Sequence, residues 1–268
     1  MQALRFTYFC IMVNSVRAKK RLGQHFLKDE GVCAKVAEAV TAKSGFLVEV
    51  GPGMGALTKH LIPGWGEKLW LVEIDDESIP YLVSNFPDLK ERILHTDFLK
   101  LDLETFFKGD KFSIVGNFPY NISTQILFKA IEFRTKVIEV VGMFQKEVAK
   151  RICSPPGNRD YGILSVLVQA YFETSYLFDV PPSVFIPPPA VNSGVIKLVR
   201  KENFTLACND DVFKQVVKMA FNQRRKKLSN ALSAMLADKG IKSEMLDKRA
   251  EQLSWKDFEK LTLLIEGH

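Results

Sequence analysis

A chain of 268 residues with 47% hydrophobic and 25% charged side chains has ordinary globular composition. That excludes a wholly disordered protein and leaves room for one large domain, alone or with a small one. The net charge of +6 suits a polyanionic partner without demanding one. Cys10, Cys33, Cys153 and Cys208 are widely spaced with no CxxC pair, which argues against a disulfide framework and against a metal site, and no apolar run approaches the roughly 18 residues that span a bilayer.

The opening MQALRFTYFCI lacks the long apolar stretch and cleavage site of a secretory signal; residues 1–16 are expected to be a disordered tail, with Met12 an alternative start. Residues 17–28, RAKKRLGQHFLK, form a basic arm. A helix is predicted over 31–43, with Val32, Val36, Ala39 and Val40 on one face. The strand FLVEV at 46–50 then runs into GPGMGALTKHL. Strands at 68–74, 92–96 and 112–117 alternate with helices at 79–86 and 123–133. A buried strand at 137–144 precedes the helical stretches QKEVAKRIC and GILSVLVQAYF, and SYLFDV and SGVIKLVR are the last two strands.

Short apolar strands alternating with helices predict an α/β fold: a mainly parallel sheet covered on both faces. The last two strands are joined by a proline-rich loop with no helix, so they are expected to pair antiparallel. Beyond Arg200 the segments DDVFKQVVKMAFNQ, RRKKLSNALSAMLADKG and WKDFEKLTLLI all have helical period, which predicts a large domain over 17–200 and a small helical one over 201–268.

Gly51, Gly53 and Gly55 follow the first long strand, where glycine permits a tight turn and lets backbone approach a ligand. Glu73 ends the next strand, where a carboxylate can take both hydroxyls of a ribose, and Asp97 ends the third, placed to accept from an adenine amine. Ligands bind at this edge of such a sheet, so the three together favour an adenosine-containing cofactor. The spacing G-x-G-x-G departs from the dinucleotide pattern, and these residues alone do not separate a nicotinamide from S-adenosylmethionine.

The fourth strand finishes in Asn117-Phe118-Pro119-Tyr120. The exocyclic nitrogen of adenine is a poor nucleophile because its lone pair is delocalised into the ring. The Asn117 side-chain oxygen and a backbone carbonyl beside Pro119 can accept its two hydrogens and push the nitrogen toward tetrahedral geometry. Tyr120 offers a flat face on which the base can stack. Transfer would be an in-line displacement at a sulfonium methyl, with positioning rather than a strong base supplying the acceleration.

With these residues in view, the chain from about Ala18 to Leu264 resembles the small-subunit ribosomal RNA adenine N6,N6-dimethyltransferase family (KsgA type). KKRLGQHFL at 19–27, EVGPGMGALT at 49–58, VEID at 72–75 and NFPYNIS at 117–123 are similar to its cofactor and catalytic motifs. FQKEVAKRI at 144–152, VPPSVFIPPPAVNS at 180–193 and AFNQRRKKLSNAL at 220–232 match further family blocks. The resemblance implies a Rossmann-like class I methyltransferase fold using S-adenosyl-L-methionine. Cofactor contacts would come from His25, Leu27, Gly51, Glu73, Asp97 and Asn117, with Gly53 beside them and Gly55 ranked lower. Position 25 is His where the bacterial pattern usually has Asn. Phe185, in the FIPPP loop, would face the target base opposite Tyr120, clamping a base taken out of its stack.

The same resemblance implies transfer to two adjacent adenosines in a hairpin loop near the 3′ end of 16S rRNA, a role in small-subunit biogenesis, a cytoplasmic location and a monomer. Lys19, Lys20 and Arg21 beside the pocket, and Arg224, Arg225, Lys226 and Lys227 in the helical domain, are expected to contact RNA phosphates. Three other readings compete. A large-subunit RNA adenine methyltransferase of the antibiotic-resistance type shares the fold and chemistry, but the triple proline at 187–189 and the FNQRRK block at 221–226 fit the small-subunit enzyme better. A catalytically idle assembly or transcription factor has no need of an intact Asn117–Tyr120 motif. An NAD-dependent oxidoreductase fits the glycine spacing poorly.

Overall fold

The computed structural model describes residues 16–202, 205–237 and 239–267. The tail expected over 1–16 and the alternative start at Met12 lie, but for Val16, outside the described residues. In chain order the strands are β1 (Phe26–Leu27), β2 (Phe46–Val50), β3 (Leu69–Glu73), β4 (Ile93–His95), β5 (Phe112–Asn117), β6 (Val137–Gln145), β7 (Phe172–Val180), β8 (Phe185–Ile186) and β9 (Ser193–Arg200). The helices of two turns or more are α1 (Glu30–Ala39), α2 (Thr58–Trp65), α3 (Ser78–Asn85), α4 (Ser123–Glu132), α5 (Lys146–Cys153), α6 (Ile163–Tyr171), α7 (Asp210–Asn222) and α8 (Trp255–Glu266).

Seven strands form one sheet in the order β4-β3-β2-β5-β6-β9-β7, and the ladders joining β4, β3, β2, β5 and β6 are parallel. β2, β3, β5 and β6 are buried along almost their whole length, which is why they read as continuous apolar runs rather than alternating ones. From β2 the chain proceeds outward through β3 and β4, then crosses back to place β5 on the other side of β2. A crevice opens at the carboxyl ends of strands at such a reversal, and this one positions the site. A separate two-stranded ladder pairs β1 with β8 antiparallel, Phe26 opposite Ile186 and Leu27 opposite Phe185.

Two expectations are corrected. The first helix stops at Ala39 rather than running to 43, because the buried Glu139 carboxylate takes the Thr41 and Ala42 backbone N–H groups and the Thr41 hydroxyl at 2.9–3.1 Å. The stretch 224–240 is not one helix but two single turns, Leu228–Ala231 and Ser233–Leu236. Lys227 is extended and bridges Arg249, while the Leu228 N–H donates to the Lys248 carbonyl at 2.8 Å, so the backbone there is paired across the chain.

The compact units divide the chain elsewhere than at residue 200. One compact unit comprises the residues up to Lys146 together with Leu177–Lys197, the other Glu147–Tyr176 with the chain from Leu198 onward. The helices between β6 and β7 therefore belong with the C-terminal helices and not with the sheet unit. Within this second unit the largely apolar α6 packs against α7 and α8, and the Tyr171 hydroxyl donates to Asp210 at 2.9 Å. α8 carries an N-terminal capping box between Ser254 and Asp257 and ends at Gly267 in the left-handed region.

Candidate active site

A cavity opens at the carboxyl ends of β2, β3 and β5, wholly within the sheet unit. His25, Leu27, Gly51, Gly53, Glu73, Asp97, Asn117, Pro119 and Tyr120 all line it. Gly53 has φ +56°, and a Cβ there would fall 2.8 Å from the Phe26 ring, so the turn and the close approach both require glycine. Gly55 does not line the cavity; a Cβ there would fall 2.2 Å from Phe86, which makes it a packing residue.

Glu73 is 3% exposed. Its Oε2 accepts from the Gly53 N–H at 2.9 Å and its Oε1 from the Ile74 and Asp75 N–H groups at 2.8 and 2.9 Å. Burial raises its pKa, against the pull of those three donors. A carboxylate offers roughly four acceptor positions, so about one remains for a ribose hydroxyl, where the sequence argument allowed two. Asp97 accepts from the Leu99 N–H at 2.9 Å through one oxygen and keeps the other for a ligand.

Two supports of these residues were not visible in the sequence. Lys129, on α4, sends its half-buried ammonium to the carbonyls of Leu99 at 2.9 Å and Leu101 at 2.6 Å, pinning the loop that starts at Asp97. Burial lowers its pKa, opposed by Glu132, Asp97 and Asp102. At the other side Asp75, whose side chain is fully buried, binds the Lys19 ammonium, the Gln24 amide at 3.2 Å and the Ser78 hydroxyl at 3.0 Å. Burial alone would raise the Asp75 pKa, but those three donors hold it below the usual carboxylate value. The basic arm is thereby latched to the end of β3, and Lys19 is committed to Asp75 and Glu77, leaving Lys20 and Arg21 exposed.

At the reacting end the Asn117 amide nitrogen donates to the His25 carbonyl at 2.7 Å, which fixes the side chain and leaves its oxygen as the acceptor. The Pro119 carbonyl accepts from Ile122 and the Tyr120 carbonyl from Ser123, so among the described residues the free carbonyl beside Pro119 is that of Phe118. Phe118 is 1% exposed, edge-on to Phe144 at 5.3 Å. The His25 ring lies 5.6 Å from Tyr120, and its Nδ1 is 2.8 Å from the Pro187 carbonyl. His25 thus ties three parts of the site together, a role that its expected cofactor contact did not suggest.

Phe185 stands apart from these residues. It is 2% exposed, belongs to the core cluster with Leu27 and does not line the cavity. Side chains alternate along a strand, so in β8 Phe185 turns inward and Ile186, 55% exposed, turns out.

The model for ribosomal RNA adenine dimethylases matches residues 15–264. The chain is 50% identical to ribosomal RNA small subunit methyltransferase A of Flavobacterium johnsoniae, over 95% of this chain and 98% of that one. It is 48% identical to the protein of the same name from Cytophaga hutchinsonii, over 95% of this chain and 100% of that one. The chain belongs to the ribosomal RNA adenine dimethylase family. Among solved structures, a dimethyladenosine transferase from Plasmodium falciparum superposes with a TM-score of 0.74 at 26% identity, covering 90% of this chain and 97% of that one. The 23S rRNA methyltransferase ErmE shares the fold, with a TM-score of 0.65 at 22% identity over 88% and 98%.

Members of the ribosomal RNA adenine dimethylase family use S-adenosylmethionine, and the residues here fit it. Asp97 keeps an acceptor for an adenine amine, Glu73 one for a ribose hydroxyl, and the glycine loop has no side chain where Phe26 closes over it. In the helical unit the expected RNA-binding run is divided. Arg224 donates to the Arg159 carbonyl at 2.7 Å and lies 3.7 Å from Glu251, and Lys227 pairs with Asp247 at 3.0 Å. The side chains of Arg225 and Lys226 have no hydrogen-bond or ion-pair partner among the described residues. Among those residues, too, no group of three or more His, Cys, Asp or Glu could hold a metal, and no helix is long and apolar enough to cross a membrane.

Proposed function

We propose that this family member transfers methyl groups from S-adenosylmethionine to N6 of two adjacent adenosines in a hairpin loop near the 3′ end of 16S rRNA, during small-subunit biogenesis. Adenine dimethylation of ribosomal RNA is the activity in the family's description, and the small subunit is the target in the names of relatives at 46–50% identity; the large-subunit enzyme shares only the fold. The observation that carries the chemistry is Asn117, its amide nitrogen held by His25 and its oxygen left as an acceptor at the cavity wall.

When bound, the cofactor supplies a methyl group made electrophilic by its sulfonium. The chain supplies position. Asn117 Oδ1 and the Phe118 carbonyl accept the two N–H groups of the target amine, drawing its lone pair out of conjugation. Pro119 keeps the turn rigid, and Tyr120 gives the base a face to stack on. Glu73 and Asp97 hold the adenosine end of the cofactor, with Leu27, Gly51 and Gly53 against it. Tyr120 keeps its proton throughout, since burial raises its pKa and a hydrogen bond from or to Ser193 only partly offsets that.

Lys20, Arg21, Arg225 and Lys226 are the cations offered to RNA phosphates, while Lys19, Arg224 and Lys227 act chiefly within the fold. A monomer working in the cytoplasm is what the family resemblance supports. The test is Asn117→Ala. Losing a preorganised acceptor at the reacting amine should cost about a hundredfold or more in turnover, with cofactor affinity, read by equilibrium dialysis, changed only a few-fold. Full turnover in this variant would remove Asn117 from the mechanism.

A further inference from the structure

The Tyr120 and Ser193 hydroxyls lie 2.6 Å apart, within the ordinary range for a hydrogen bond between two hydroxyls. Ser193 is fully buried, opens β9 and does not line the cavity. It lies at the far end of the proline loop, whose near end is held by the Pro187 carbonyl on His25. The adjacent Asn192 carbonyl is held in turn by the Lys146 N–H at 2.9 Å. The bond reaches from the turn after β5 past β6 to β9, so it is a long-range constraint on one ring.

We infer that Ser193 is the positioning residue of the site: it fixes where the Tyr120 ring lies before the target base arrives. This rests on the proposed base-stacking role of Tyr120. A phenol ring attached only through its Cβ can rotate about two bonds. Anchoring the hydroxyl fixes rotation about the Cα–Cβ bond; the oxygen lies on the axis of the second bond, so the turn of the ring about that axis is restricted by its neighbours, the His25 ring among them. A base that lands on a ring already in place does not have to order it while binding, so the constraint acts on the reacting geometry. Removing the serine hydroxyl also strands a half-buried phenol hydroxyl, which can recover a partner only by swinging away toward water.

The experiment compares Ser193→Ala, Tyr120→Phe and the double variant, using small subunits that lack the adenine modification. Each single change should lower kcat about three- to tenfold, the size of one net hydrogen bond, with KM for subunits and cofactor affinity near wild type. The double variant should be no worse than the more affected single one, because both remove the same bond. A wild-type kcat in Ser193→Ala, or single effects that multiply in the double variant, would overturn the inference. Nuclear magnetic resonance of 13C-tyrosine in the free protein reads the ring without any turnover: one ordered Tyr120 rotamer in wild type, averaging in Ser193→Ala. An equally ordered ring in the variant rejects the positioning role even if turnover falls. Averaging in a protein whose wild type fails to methylate small subunits would keep the positioning role and reject the proposed function instead.

Discussion

Gly142→Ala should damage the reaction more than the fold. Gly116 and Gly142 are partners in the β5/β6 ladder, and the Phe118 ring lies against both. A Cβ on Gly142 would fall 2.0 Å from Phe118 Cε2 and 2.7 Å from Cδ2, whereas ordinary contact begins near 3.4 Å, so the ring must retreat by more than 1 Å. It has little room, being 1% exposed with Phe144 beside it. Overpacking of this kind costs about 1–3 kcal/mol, offset by about 0.4–1 kcal/mol from the less flexible unfolded chain. The net loss of stability is modest. Phe118, however, stands between Asn117 and Pro119, and a misplacement near 1 Å at a reacting centre costs on the order of a hundredfold in rate. Thermal melts beside single-turnover methyl transfer should therefore show a fall of a few degrees and a loss of about two orders of magnitude. Adding Phe118→Leu should recover part of the melting temperature. Wild-type turnover in Gly142→Ala would refute the claim that the Phe118 slot sets the catalytic turn.

Three further outcomes are expected. Burial pushes the Glu49 carboxyl up to about 8 from an ordinary 4.5, so its neutral form suits the fold. That stability is fully present below the unfolded value and is lost as pH rises through about 8. Glu49→Gln should flatten the fall in urea stability between these limits, and an unchanged slope would contradict the assignment. Lys129→Met should free the loop beyond Asp97 and weaken cofactor binding about tenfold, or roughly 1.4 kcal/mol; calorimetry showing unchanged affinity would dismiss that support. Arg225→Ala with Lys226→Ala should weaken subunit binding and reduce its salt dependence by about one to two units of slope. Lys227→Ala, whose ammonium already pairs with Asp247, should do less in the same filter-binding assay.

The central strands were legible because each is buried on both sides: FLVEV and FSIVGN are read as strands and begin and end where expected. The site was legible where its residues end or closely follow strands: Glu73 ends β3, Asn117 ends β5, Asp97 lies two residues beyond β4, and all three converge at the crevice. Hidden features depended on contacts distant in sequence. Periodicity placed α6 before two strands and so with the sheet, but its partners are helices that come later in the chain. A two-residue ladder such as β1/β8 carries no period, and without it the inward turn of Phe185 could not be seen. Lys19, Arg224 and Lys227 read as free charge because their carboxylate or carbonyl partners lie 56, 65 and 20 residues away.

The most direct test of the account is transfer of labelled methyl from S-adenosylmethionine to small subunits lacking the adenine modification, with modified small subunits and naked large-subunit RNA alongside. The account predicts label only in the unmodified small subunits, recovered as N6,N6-dimethyladenosine. Label in the large-subunit RNA, or none in any substrate while the cofactor still binds, would contradict it.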